Sequence, residues 1–122
     1  MQTLIVSGEL PGLNEVLNKA KKHWTEYRRL KDIYTMLSMT ASKKQLKPLT
    51  ARARFDFTWY CKDRRRDPDN IASAKKFVFD GLIDAGILKN DGWGQVAALS
   101  DAFYVDAKNP RVEIEIRETI GE

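Results

Sequence analysis

A chain of 122 residues, 43% of them hydrophobic, holds apolar material for one modest core and not for two, so a single domain spanning 1–122 is expected. Its 21 Lys and Arg outnumber its 17 Asp and Glu and leave a formal charge of +4, which suits a polyanionic partner without approaching a histone-like tail. The single cysteine excludes an internal disulfide, no Cys or His pair has zinc-site spacing, and neither a leader pattern at Met1 to Val6 nor a membrane-length apolar run is present; a soluble cytoplasmic protein with no membrane partner is expected.

Thr3 to Val6 is a short apolar run ending at Ser7 and Gly8, and Glu9-Leu10-Pro11-Gly12 is turn chemistry, which predicts an opening strand and a bend. From Leu13, apolar or aromatic residues recur at Leu17, Ala20, Trp24, Tyr27, Tyr34, Leu37 and Ala41, mostly in steps of three, four or seven. That spacing predicts a helix, long enough to expect a break, with basic residues on its other faces and an end at Ser42 to Pro48. His23 falls inside it as a surface or packing residue.

Between Thr50 and Tyr60, Ala51, Ala53, Phe55, Phe57 and Trp59 alternate with Arg52, Arg54, Asp56, Thr58 and Tyr60, the period of a half-buried strand. Cys61 at its end reads as a small buried hydrophobe. After Asp67-Pro68-Asp69-Asn70, the spacing of Ile71, Ala74, Val78, Leu82 and Ala85 predicts one continuous amphipathic helix from Asn70 to Ala85, closed by Gly86. Beyond the polar segment Lys89 to Gly94, Val96 to Val105 and Val112 to Ile116 read as a pair of strands joined through Asp106 to Pro110. The predicted order is β-α-β-α-β-β, an α+β domain with a mixed sheet and helices packed against it.

The chemistry concentrates in Arg64-Arg65-Arg66-Asp67-Pro68-Asp69-Asn70, at the junction of strand and helix. Residues two apart in an extended segment project to the same side, so Asp67 and Asp69 can converge, with Pro68 stiffening the backbone between them. Two adjacent carboxylates repel unless a cation lies between them, which points to a divalent site, and oxygen ligands favour Mg²⁺ or Mn²⁺ over zinc. The same four residues are also turn and N-cap vocabulary, with Asp69 or Asn70 as cap, and spacing alone does not choose between the two. At about 100° per residue, Asp69, Ser73, Lys76, Asp80 and Asp84 share one sector of the helix, opposite Ile71, Ala74, Val78 and Leu82. Lys76 therefore points with the acids, while Lys75 turns toward the edge of the apolar face. Lys62 and Arg64 to Arg66 put phosphate-gripping charge beside the acids, or form a solvated face, and Lys75 is counted with them as a DNA-binding candidate.

These residues resemble the RusA family of Holliday-junction resolvases, especially its shorter phage and prophage members. The likeness rests on Asp67-Pro68-Asp69-Asn70, Lys76-Phe77-Val78-Phe79-Asp80-Gly81-Leu82, Ala85-Gly86-Ile87-Leu88 and Asn90-Asp91-Gly92-Trp93, in that order, and more weakly on Leu13-Asn14 after Pro11-Gly12. It implies a homodimeric endonuclease that cuts four-way junctions and related branched DNA. It further implies Asp67, Asp69 and Asp91 as ligands of Mg²⁺, with Mn²⁺ as a substitute, and Lys76 as the lysine that supports cleavage. Asp80 is a lesser candidate. The best-known member has about one helical turn fewer between acidic pair and lysine, which leaves Lys75 as the alternative to Lys76, and Asn90 stands where relatives often carry a second acid.

A continuous helix from Asn70 to Ala85 would extend about 24 Å, and the residues from there to Asp91 reach back at most about 20 Å. Either the helix ends early, or the loop doubles back sharply, or Asp91 completes a partner subunit's site. Phe77 and Phe79 read as core, with an interface as the other option. Trp93 is expected to anchor its loop, the alternative being a stack on a splayed base. The competing function is a non-catalytic DNA-binding or recombination-accessory protein that keeps the basic surface and uses the acids only as caps.

Overall fold

The computed structural model describes residues 1–119, arranged as β1 (Gln2–Ser7), α1 (Leu13–Lys22), α2 (Trp24–Gln45), β2 (Ala53–Cys61), α3 (Pro68–Ala72), α4 (Lys75–Asp84), β3 (Val96–Val105) and β4 (Arg111–Glu118). The four strands form one mixed sheet in the order β1-β4-β2-β3, antiparallel except for the parallel pair β2 and β3. This is the α+β domain that the periodicities predict. The alternation in β2 puts Ala53, Phe55, Phe57, Trp59 and Cys61 on the face that the helices cover, where they join Leu4, Val6, Val112, Ile114 and Ile116. Phe79 of α4 packs edge-on against Phe55, and Phe77 lies 6.0 Å from the Tyr34 ring of α2, so both phenylalanines belong to the core and not to an interface. The other sheet face is uncovered, and polar pairs knit it: Arg54 with Asp56, and Arg111 with Glu113 while stacked on Tyr60.

β3 and β4 are not neighbours. β2 lies between them, pairing with both, so the loop from Asp106 to Pro110 crosses one strand instead of closing a hairpin. Burial supplies the reason: β4 carries three fully buried branched residues and takes a central place, whereas β3 keeps Leu99, Tyr104 and Val105 exposed and takes an edge. The opposite edge, β1, is covered by the end of α2. The Gln45 side chain accepts from the Ile5 N–H and donates to the Ile5 carbonyl, and Gln2 pairs in the same way with Lys47.

Both predicted long helices are interrupted. The first breaks at His23, whose backbone is extended, and its second part runs on through Ser42 to Gln45. Ser42 is tolerated there because its hydroxyl donates to the carbonyl of Ser38, four residues back. The second breaks at Ser73 and Ala74. The Ser73 hydroxyl donates to the Asn70 carbonyl, and the N–H groups of Ala74, Lys76 and Phe77 turn to acceptors only three residues back. α4 then ends as its glycine predicts. Gly86, at φ +75°, follows the cap, the Gly86 N–H donates to Ile83 and the Ile87 N–H to Leu82, with Ile87 and Leu82 both buried.

Glycine also sets two close approaches. Gly81 lets α4 touch α2, since a Cβ there would lie 2.4 Å from the Ser38 Cβ. Gly12, at the N-cap of α1, has no side chain to cap with, and Asn70 does the capping from a distance: its Oδ1 accepts from the Asn14 N–H at 2.8 Å. A Cβ on Gly12 would lie 2.7 Å from the Asn70 amide. Gly12→Ala is therefore expected to cost about 1–3 kcal/mol and Asn70→Ala about 1 kcal/mol. In urea denaturation the double mutant should lose less than the sum, because truncating Asn70 vacates the space; strict additivity would show that the two residues do not compete for it.

Candidate functional site

Asp67 occupies the N-cap position of α3, with extended backbone and Pro68 following, yet its carboxylate makes no capping hydrogen bond. Asp69 accepts only from the adjacent Asn70 N–H, at 2.8 Å. Both are exposed. Of the four residues Asp67 to Asn70, the one that caps is Asn70, and it caps a different helix. The two aspartates are thus left with oxygen lone pairs uncommitted to the fold.

The next turn carries two lysines with opposite surroundings. Lys75 points inward to Asp101 on β3, with its Nζ 5.7 Å from the centre of the Phe57 ring, and the Trp59 indole N–H donates to the other Asp101 oxygen at 2.8 Å. Lys76 is 65% exposed at its side chain, and its Nζ lies 3.2 Å from Asp80 and 3.6 Å from Asp91. The hydrogen bond to Asp80 raises the Lys76 pKa above the ordinary 10.5, Asp91 adds to it, and partial burial opposes it. The group is accordingly an ammonium at neutral pH, a donor and not a base.

Asp91 reaches Lys76 within one chain. The helix breaks at Ser73 and Ala74 and ends at Asp84, one residue short of the expected Ala85, and the loop beyond Gly86 turns back far enough to bring Asp91 to Lys76. The structure brings Lys76, Asp80 and Asp91 together. It does not close Asp91 onto Asp67 and Asp69, since among the described residues no three Asp, Glu, His or Cys side chains form a group able to hold a metal ion. The donors still fit a hard cation, because Mg²⁺ ordinarily takes one or two carboxylates, keeps several waters and uses substrate phosphate oxygens in place of an all-protein cage.

The basic residues divide as well. Lys62, Arg64 and Arg65 are exposed, Arg65 lying 3.7 Å from Asp63. Arg66 is bound into the fold, donating to the Leu10 carbonyl at 3.0 Å and flanked by Glu9 and Glu15. A cleft of about 590 Å³ runs beside Asp67, with Arg64 and Asp63 at its rim and Ile71, Phe103 and Val105 among its walls. His23 is exposed and bonded to Thr25, and burial pushes the Cys61 thiol up, leaving it a packing residue. Trp93 does not anchor its loop through its side chain, which is 90% exposed. Sequence reasoning missed Asp101, although a carboxylate at an inward position of an alternating strand demands a buried partner. It also missed the Gly12–Asn70 pairing, which joins residues 58 positions apart.

The family model described as Endodeoxyribonuclease RusA matches residues 13–117, from the start of α1 to the last residue but one of β4, and so includes every candidate residue above. A comparison with curated proteins finds no match.

The two lysines make a direct test of these surroundings. Lys75→Ala leaves Asp101 half-buried without its cation and should cost about 1–3 kcal/mol in denaturant titration, whereas Lys76→Ala should stay within about 0.5 kcal/mol of wild type. Equal losses at the two positions would contradict the division into an inner and an outer lysine.

Proposed function

Because the chain belongs to the RusA endodeoxyribonuclease family, we propose that it resolves Holliday junctions and related branched DNA in the cytoplasm, by Mg²⁺-dependent phosphodiester hydrolysis, as a homodimer. The reading is supported above all by the approach of Lys76 to Asp91, which unites the start of α4 with a loop fifteen residues further on. Asp67 and Asp69, free of capping duty, supply the remaining carboxylates.

In this reading Asp67 and Asp69, joined by Asp91 once the phosphate is in place, would hold Mg²⁺, or Mn²⁺ in its place, which would supply an activated water and neutralise charge on the phosphate. Lys76 stays protonated and donates to the phosphate oxygens as their charge grows in the transition state. Asp80, one turn along the same helix, keeps that ammonium pointed at the site. Lys62, Arg64 and Arg65 grip the phosphates on either side, and Arg66 holds the loop that carries them. A four-way junction presents two strands of like polarity, so a two-fold dimer with one site per protomer matches its symmetry. The exposed Ile33, Met36 and Leu37 on α2 offer surface for the second copy. Among the described residues no helix is long and apolar enough to cross a membrane.

The second reading, a non-catalytic DNA-binding accessory protein, draws on the lack of a three-carboxylate group among the described residues. One set of measurements separates the two. Asp67→Asn, Asp69→Asn and Asp91→Asn should each lower Mg²⁺-dependent junction cleavage on the order of 10²-fold or more, with junction binding in EDTA retained. Wild-type protein inert toward junctions, flaps and duplex in Mg²⁺ and in Mn²⁺ would overturn the nuclease reading. Arg64→Ala should flatten the dependence of log affinity on log salt by about one unit, as expected when one cation that neutralises a phosphate is removed.

A further inference from the structure

Trp93 combines extreme exposure with a rigid mount. Its side chain is 90% accessible, yet its backbone is pinned on both sides: Arg52 donates to the Trp93 carbonyl at 2.9 Å, and the Gln95 and Val96 N–H groups both donate to the Gly92 carbonyl at 3.0 Å. The Gly92 N–H donates in turn to the Asn90 side chain at 2.9 Å. Of the other two tryptophans, Trp59 is buried and bonded to Asp101, and Trp24, though 65% exposed, packs on Tyr27. Trp93 has neither kind of partner among the described residues. An indole held out into water on a fixed loop forgoes the burial that its apolar area would gain, which makes sense when something apolar lies on it.

The position identifies the occupant. Trp93 is two residues beyond Asp91 and lines, with Asp91 and the start of β3 at Val96 and Leu99, a shallow and mostly apolar groove of about 320 Å³. We propose that Trp93 is a stacking platform for an unpaired nucleobase displaced next to the cleavage site. This rests on the nuclease reading, in which Asp91 and Lys76 face the phosphate backbone; a base unstacked at a branch point extends from that backbone by one sugar, and the groove that Asp91 shares with Trp93 lies within that reach. A second protein copy seated in this groove would cover Asp91, which lines it, and bar the DNA from that carboxylate. Every base has a π face, so the platform selects for unpaired structure and not for sequence. Arg52, which fixes the Trp93 carbonyl, is a positioning residue for it.

The test is a four-way junction carrying 2-aminopurine at the branch point, beside a matched duplex, with wild type, Trp93→Ala and Trp93→Phe in Ca²⁺ to prevent cleavage. Trp93→Ala should weaken junction binding about tenfold, leave duplex binding unchanged and abolish the quenching of 2-aminopurine, and Trp93→Phe should restore most of both signals. The inference is overturned if wild type binds and cuts junctions while Trp93→Ala shows the same affinity and fluorescence. It is overturned equally if light scattering finds that Trp93→Ala changes the oligomeric mass, which would mark the indole as a seam between copies. A wild-type protein that neither binds nor cuts junctions removes the nuclease reading and this inference with it.

Discussion

Two ammonium groups in the first turn of α4 stand where a helix tolerates positive charge least. The backbone N–H groups there already present partial positive charge, and no acidic residue occupies that turn to offset it. The offset comes from elsewhere in the chain: Asp101 from β3 for Lys75, Asp80 from the next turn and Asp91 from the returning loop for Lys76. These pairings hold α4 to the sheet on one side and draw the loop after Gly86 back along it on the other. The buried Ile87 and Leu88 and the bond from the Leu49 N–H to the Ile87 carbonyl set the start of that return, and the Lys76 pair orients its far end. The two lysines of the first turn are adjacent in sequence and opposite in duty because consecutive residues on a helix point about 100° apart.

The interruption of the helix before α4 has the same local origin as its consequences. Ser73 turns its hydroxyl to the Asn70 carbonyl, the ladder tightens, and the chain gains a corner between α3 and α4. A continuous helix would have carried Lys76 along the axis set by Asp69. The corner lets α3 follow Asn70, which is tied to the start of α1, while α4 follows its apolar face into the core between α2 and β2. The acidic signature is therefore composite. Asn70 is a structural member, pressed against Gly12 and capping α1, while Asp67 at the cap position makes no capping bond and Asp69 accepts only from the adjacent Asn70 N–H, so both stay solvent-facing.

The basic surface divides in a similar way. Arg66 is engaged with Leu10, Glu9 and Glu15, which leaves Lys62, Arg64 and Arg65 as the solvent-facing charges beside the acids. On the far side, the loop with Asp91 is bonded into the start of β3 by Gly92 and held by Arg52, so its indole and its carboxylate are presented together on one rigid mount. Charge for phosphates on one flank and an aromatic face on the other are what a protein needs to hold DNA whose backbone runs on while its bases part.

Short-range signals were legible in the amino-acid order alone. The period of two from Ala53 to Cys61, the turn at Pro11-Gly12, the αL glycine at Gly86 and the string from Asp67 to Trp93 each sit within a few residues of their cause, and they predict the element order, the α+β class and the family now matched over residues 13–117. Sequence could not place β2 between β3 and β4, because periodicity reports which face of a strand is buried and is silent about its neighbours. The helical wheel sorted Lys76, on the side of the acids, from Lys75, toward the apolar face, but the sequence could not find Asp101 or the Asn70 cap, because each depends on a partner brought near only by folding. Trp93 shows the same division: the order of residues put an indole beside Asp91, and the pinned backbone of the folded loop decided that it faces outward.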